Sequence, residues 1–139
     1  MDGGETPEQT PGLVRRKSAH DLAETAKRFR AAAEGAGLTI FAEVDHQRNA
    51  VEADMDLRPT LLLIFGNPKA GTVLMQQAQA SGIDLPFRAL IWTDAQGQTW
   101  FGWNDPQWVA ERHGLGPQAQ PIVLAIAAGM DRLSAAATA

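Results

Sequence analysis

Cysteine is absent from this 139-residue chain. That excludes disulfides, thiolate catalysis and cysteine-ligated zinc or iron–sulfur centres, and is compatible with a reducing compartment. Clustered positive charge is scarce as well. Arg15, Arg16 and Lys17 form a single basic run, and the formal net charge is −4. This argues against non-specific nucleic-acid binding, because phosphate contacts need grouped Lys and Arg. Long hydrophobic runs are also missing: no stretch approaches the roughly 18 apolar residues of a membrane span. Residues 1–12, MDGGETPEQTPG, are polar, acidic and rich in Gly and Pro, unlike a signal-peptide core. His20, His46 and His113 stand apart with no ligand spacing between them, so neither metal nor cofactor is expected. The expectation is a cytoplasmic protein with no membrane or nucleic-acid partner. Residues 1–12 should form a disordered tail and 13–137 a single globular domain.

What is present is enough apolar residue to make a core. The chain is 45% hydrophobic and 20% charged, the proportions of a globular domain that buries roughly two thirds of its unfolded surface. Leu13 to Lys17 reads as an edge strand protected by its charges. Ser18 then reads as a helix N-cap with Asp21 three residues on. Leu22, Ala26, Phe29 and Ala33 recur at helical spacing, and Gly35 and Gly37 end the run. From Leu38 the period changes to two, giving a strand that passes through Ile40, Ala42 and Val44. Asp45 suits the cap of a short helix over 46–54.

Residues 60–65 (TLLLIF) do not alternate, as expected for a central strand covered on both faces. Asn67 and Pro68 suit N-cap and N1 of a helix running to about Ala80. Two β-like runs, 86–93 and 98–103, flank a turn ending in Gly97 and form a hairpin. Asp105 and Pro106 begin another short helix, and a last helix starts near Pro121. The sum is an α/β (α+β mixed) fold. It should be a compact two-layer sandwich, a small mixed sheet of four to five strands with helices packed on it.

The junction at Gly66 is the most informative place in the chain. A strand running directly into a helix start collects free backbone N–H groups and a positive dipole end. Residues 66–71 have the G-x-x-x-x-G spacing of a phosphate loop, but Thr72 and Val73 follow where Lys and Ser or Thr should stand, which rules against a Walker-type nucleotide site. A simpler anion or small-molecule site remains, using Asn67, Lys69, Gly71 and Thr72. The plain alternative is an Asn-capped, Pro-started helix.

Asp45 and His46 lie at a strand end, where a carboxylate beside an imidazole can act in general acid–base catalysis. Capping by Asp45 explains both residues without chemistry. His113 before Gly114 reads as a helix C-terminal group, and Asp84 as a partner for Arg58 or a turn cap. Trp92, Trp100, Trp103 and Trp108 crowd the hairpin and the helix after it. Four indoles exceed what a small sheet hides, so a homodimer through this hairpin is expected.

Several motifs together resemble a known family. They are 45–50 (DHQRNA), 57–60 (LRPT), 65–72 (FGNPKAGT) with Leu74 and Met75, 83–86 (IDLP), 104–106 (NDP) and 112–115 (RHGL). In this order they are similar to the bacterial and archaeal family called domain of unknown function 302, over about residues 13–133. The resemblance implies a small α/β domain and carries no established activity, ligand or catalytic residue. The chain departs at Val73, where the family often has Pro, and at Asp54 and Met55, where a Gly is common. Two functional classes follow from the residues. One is a homo-oligomeric binding or interaction module with a small anionic ligand at 66–72. The other is a small enzyme using Asp45, His46 and Lys69 on an acidic or carbonyl substrate. The first is preferred, because no nucleophile, base and orienter are spaced together.

Overall fold

A computed structural model describes residues 9–139. The first eight residues of the expected tail lie outside the described residues. Thr10 to Gly12 already form a turn: the Leu13 N–H donates to the Thr10 carbonyl, and the Gly12 carbonyl accepts from the Asp105 N–H at 2.7 Å. Gly12 has φ +76°, and a Cβ on it would lie 2.4 Å from the Trp108 indole. Only glycine lets the chain pass that ring in this conformation.

The strands are β1 (Leu13–Lys17), β2 (Thr39–Asp45), β3 (Thr60–Gly66), β4 (Phe87–Thr93) and β5 (Thr99–Asn104). The helices are α1 (Leu22–Gly35), α2 (His46–Glu52), α3 (Pro68–Gln77), α4 (Pro106–Arg112) and α5 (Gln120–Thr138). The sheet order is β1-β5-β4-β3-β2, and all four ladders are antiparallel. The α/β sandwich is as expected, but the mixed sheet is corrected to an antiparallel one. β1 sits at one edge and β2 at the other.

Helices α1 and α5 lie over one face of the sheet. Toward them point Leu61, Leu63 and Phe65 of β3, Ala89 and Ile91 of β4, and Phe101 and Trp103 of β5, all buried. The residues between them, among them Leu62, Ile64, Leu90 and Trp100, fall on the opposite face and remain half-buried. The unbroken apolar run of β3 therefore serves two faces, only one of which has helices over it. On the second face the Trp92 indole approaches Gly102, where a Cβ would sit 2.9 Å from the ring.

Three caps form as read. Asp45 Oδ1 accepts from the Arg48 N–H at 3.0 Å, Asn67 Oδ1 from the Lys69 N–H at 2.9 Å, and Asp105 Oδ1 from the Gln107 N–H at 3.0 Å. The cap of α1 is corrected. Asp21, not Ser18, accepts from the Glu24 N–H at 2.8 Å, and Ser18 is buried with its hydroxyl 2.7 Å from that of Thr25. Helix α3 ends at Gln77, short of Ala80, and a 3-10 turn (Gln79–Asp84) follows. Asp54 holds φ +57°, at the place where the family resemblance calls for Gly; aspartate tolerates that region better than most side chains.

One expectation about hydrophobic length is also corrected. Residues Pro117–Thr138 are long and apolar enough, by length and composition, to cross a membrane. In the fold α5 is a core helix, burying Val123, Met130, Leu133 and Ala137. Yet only 33% of that apolar window is buried. The remainder leads to the site.

Candidate functional site

A groove of about 840 Å³ opens beside the β3–α3 junction. One wall is the C-terminal part of α1, through Ala32, Gly35 and Ala36. A second is the start of α3, through Asn67, Pro68, Gly71, Thr72 and Met75. The third is α5, whose Ile122, Ala125, Ile126, Gly129, Arg132, Leu133 and Ala136 recur every three or four positions and so share one helix face. Leu38, Phe41, Phe65, Leu85, Pro86 and Phe87 add further apolar lining. The small residues on α1, α3 and α5 project little side-chain volume into the space between the helices. The uncovered apolar face of α5 is thus the wall of a cavity.

Of the residues singled out at the junction, Asn67, Gly71 and Thr72 line this groove, and Lys69 does not. Their polar atoms are already engaged in building the helix. Asn67 Oδ1 caps α3, and the Thr72 hydroxyl donates to the Pro68 carbonyl at 2.7 Å. Among the described residues, Arg132 is the single charged group in the lining.

Asp45 lies elsewhere. It borders a shallow depression of about 630 Å³ between α1, β2 and α2, with Arg30, Glu43, Arg48 and Asn49. There Arg30 and Glu43 form a two-bond pair at 2.8 and 2.7 Å. The guanidinium's hydrogen bonds hold the Glu43 carboxyl below its ordinary range and raise Arg30 in turn. The Asp45 carboxylate is spent on its cap. His46 and Lys69 line neither of these two cavities.

The tryptophans are largely satisfied within the chain. Trp92 and Trp103 are buried, and Trp108 covers Gly12. Trp100 stacks on Trp92 at 6.3 Å, carries the Arg15 guanidinium at 4.6 Å and Lys17 at 5.6 Å over its ring, and donates its Nε1–H to Asp94 at 2.9 Å. That bond is the main reason the Asp94 carboxyl titrates below its ordinary range; backbone N–H donors from Gln98 and Gln96 add to it. Phe87 and Phe101 both belong to the core, and Phe87 also lines the groove.

Asp84 does not pair with Arg58. Its buried carboxylate accepts from Arg112 Nη1 at 2.8 and 2.9 Å and meets His113 Nε2 at 2.5 Å. Arg58 instead lies close enough to Asp94 to act on it electrostatically. The Asp84 cluster ties the 3-10 turn to the end of α4, immediately before the cis Leu85–Pro86 bond that borders the groove.

Residue reasoning missed Arg132 and the α1 wall. Their signal was present: α5 holds more apolar positions than a single core stripe requires.

The family model described as "Domain of unknown function DUF302" matches residues 14–135. The chain belongs to this family. A crystal structure of an uncharacterized conserved protein DUF302 from Bacillus stearothermophilus superposes with a TM-score of 0.82, at 16% identity, over 92% of this chain and 99% of that one. At this identity it shows a shared fold. Curated relatives named "Fluoride-specific ion channel FluC 1", from Brucella suis and Brucella abortus, are each 48% identical over 118 residues. The match covers 85% of this chain but only 46% and 44% of those proteins. The chain therefore spans less than half the length of these relatives.

Proposed function

We propose that this domain is a small-molecule binding module whose site is the groove between α1, α3 and α5. The observation that carries the reading is the apolar face of α5, which the fold leaves uncovered along the groove instead of burying. Leaving such a surface open costs stability that closure would recover. A volume of about 840 Å³ also lies within the roughly 300–1,000 Å³ of ligand sites. The relatives named as fluoride channels share this domain over less than half of their length. The part matched here is the smaller share of each, so the reading takes this domain as an accessory unit, not the conducting part. The enzyme reading loses ground because neither His46 nor Lys69 lines the depression that Asp45 borders.

The test fills the groove. A Cβ on Gly129 would have nothing nearer than Arg132 Nη2 at 4.0 Å, so a side chain fits there without backbone strain. Gly129→Phe should keep or slightly raise stability, since Gly is a poor helix residue. It should weaken binding of apolar ligands by more than about tenfold, read as loss of their thermal shift. Undiminished binding by the variant, or no shift of the wild type with any apolar ligand, would overturn the reading.

Self-association is a second reading, favoured by the sheet face without helices. Leu62, Ile64 and Leu90 form an apolar patch there, bordered by Arg88 and by Trp100 with its covering Arg15 and Lys17, and sheets with apolar faces pack against one another. Light scattering should give twice the monomer mass, and Leu90→Glu should return it to the monomer with the fold retained. A wild type that stays monomeric at high concentration removes this reading.

A further inference from the structure

We propose that the groove takes an amphiphile, an extended apolar chain ending in one anionic group, of which a medium-chain carboxylate is the simplest example. This inference rests on the groove being a ligand site and names the class of ligand. Three observations carry it. First, the floor and walls offer mainly dispersion and hydrophobic contact, from residues such as Leu38, Phe65, Phe87 and Met130. A ligand held this way needs an apolar body. Second, α5 contributes to the lining from Ile122 to Ala136, a rise of about 21 Å at 1.5 Å per residue. That length suits an elongated ligand better than a compact one.

Third, the charge in the lining is one-sided. Among the described residues, Arg132 is the sole charged lining group, and no Asp or Glu joins it. Arg132 also differs from the other arginines near the helices. Arg28, Arg30, Arg48 and Arg112 each pair with a carboxylate, whereas Arg132 has no such partner among the described residues. Its guanidinium folds back along α5 over Gly129, toward the groove. A cation with open donors beside an apolar trough fits a carboxylate head on an acyl-like tail, and discriminates against an amine. The acid-binding role that the sequence pattern assigned to Lys69 falls to Arg132, on a different wall.

Calorimetric titration with decanoate, decanol and decylamine, each below its aggregation concentration, tests the inference. The wild type should bind decanoate about three- to tenfold more tightly than decanol, the range for one partly solvated charged hydrogen bond. Arg132→Gln should bring decanoate down to the level of decanol and leave decanol unchanged. Added salt should weaken decanoate alone. If decanol or decylamine binds as well as decanoate, or Arg132→Gln lowers acid and alcohol equally, the anionic head is wrong while the groove stands as an apolar site. If neither decanoate nor decanol binds the wild type, this inference and the groove reading fall together.

Discussion

Phe29→Ala should destabilise the domain by about 3–5 kcal/mol, the range for deleting a fully buried aromatic side chain. Phe29 is fully buried at the middle of α1. Its ring meets Phe65 of β3 edge-on at 4.9 Å and Phe101 of β5 at 5.4 Å. Truncation would remove both aromatic contacts, which are worth more than the area they cover, and leave a cavity between helix and sheet. For a chain of this length the expected fall in Tm is about 10–20 °C. Urea unfolding would measure the change, and an effect below about 1 kcal/mol would show that α1 is anchored by something else. Leu124→Ala, on an exposed position of α5, should by contrast stay within about 0.5 kcal/mol. The position matters for the site as well. Ala32, Gly35 and Ala36 follow Phe29 within two turns, so the ring that fixes α1 to the sheet also fixes one wall of the groove.

How much of this was legible in the chain depends on how far apart the interacting residues lie. Local chemistry was readable. Asp45, Asn67 and Asp105 cap the helices after them because each side chain reaches N–H groups two or three residues on. The α1 start was misread because Ser18 and Asp21 are equally good caps three residues apart. What separates them is tertiary: Ser18 is drawn into the core by Thr25, leaving Asp21 at the boundary. The antiparallel sheet was likewise hidden. Residues 60–66 read as apolar on both sides, a pattern usual for parallel strands under two helical layers, yet here one face is merely half-buried. Beyond the surplus apolar positions of α5, the groove had no local signature. Its walls come from α1, α3 and α5, about a hundred residues from first to last, and Arg132 gains meaning only once those walls are brought together. Sequence inspection found the edge of the site, at Asn67 to Thr72, because a helix start is a local event.

Asp84→Ala should lower stability by about 2–4 kcal/mol, somewhat less than the truncation of Phe29. Its carboxylate is only 7% exposed and receives hydrogen bonds from two side chains. Removing one member of a buried charged cluster leaves the others unpaired, and that loss exceeds what the pair contributed on formation. The two partners are not equivalent. The Arg112 side chain is 49% exposed and can turn to water, whereas His113 is 11% exposed and would lose its Nε2 partner in the interior. Of Asp84→Ala, His113→Ala and Arg112→Ala, the last should therefore be the mildest and the first the most severe, with a double-mutant cycle between Asp84 and His113 giving a larger coupling than one between Asp84 and Arg112. The cluster fastens the 3-10 turn to α4 directly before Leu85 and Pro86, which border the groove. Loosening it should thus disturb the groove from the side of Leu85 and Pro86, as Phe29→Ala would from the α1 wall. If Arg112→Ala proves as costly as Asp84→Ala, the guanidinium and not the imidazole is the dominant partner, and the order of burial argued here is wrong.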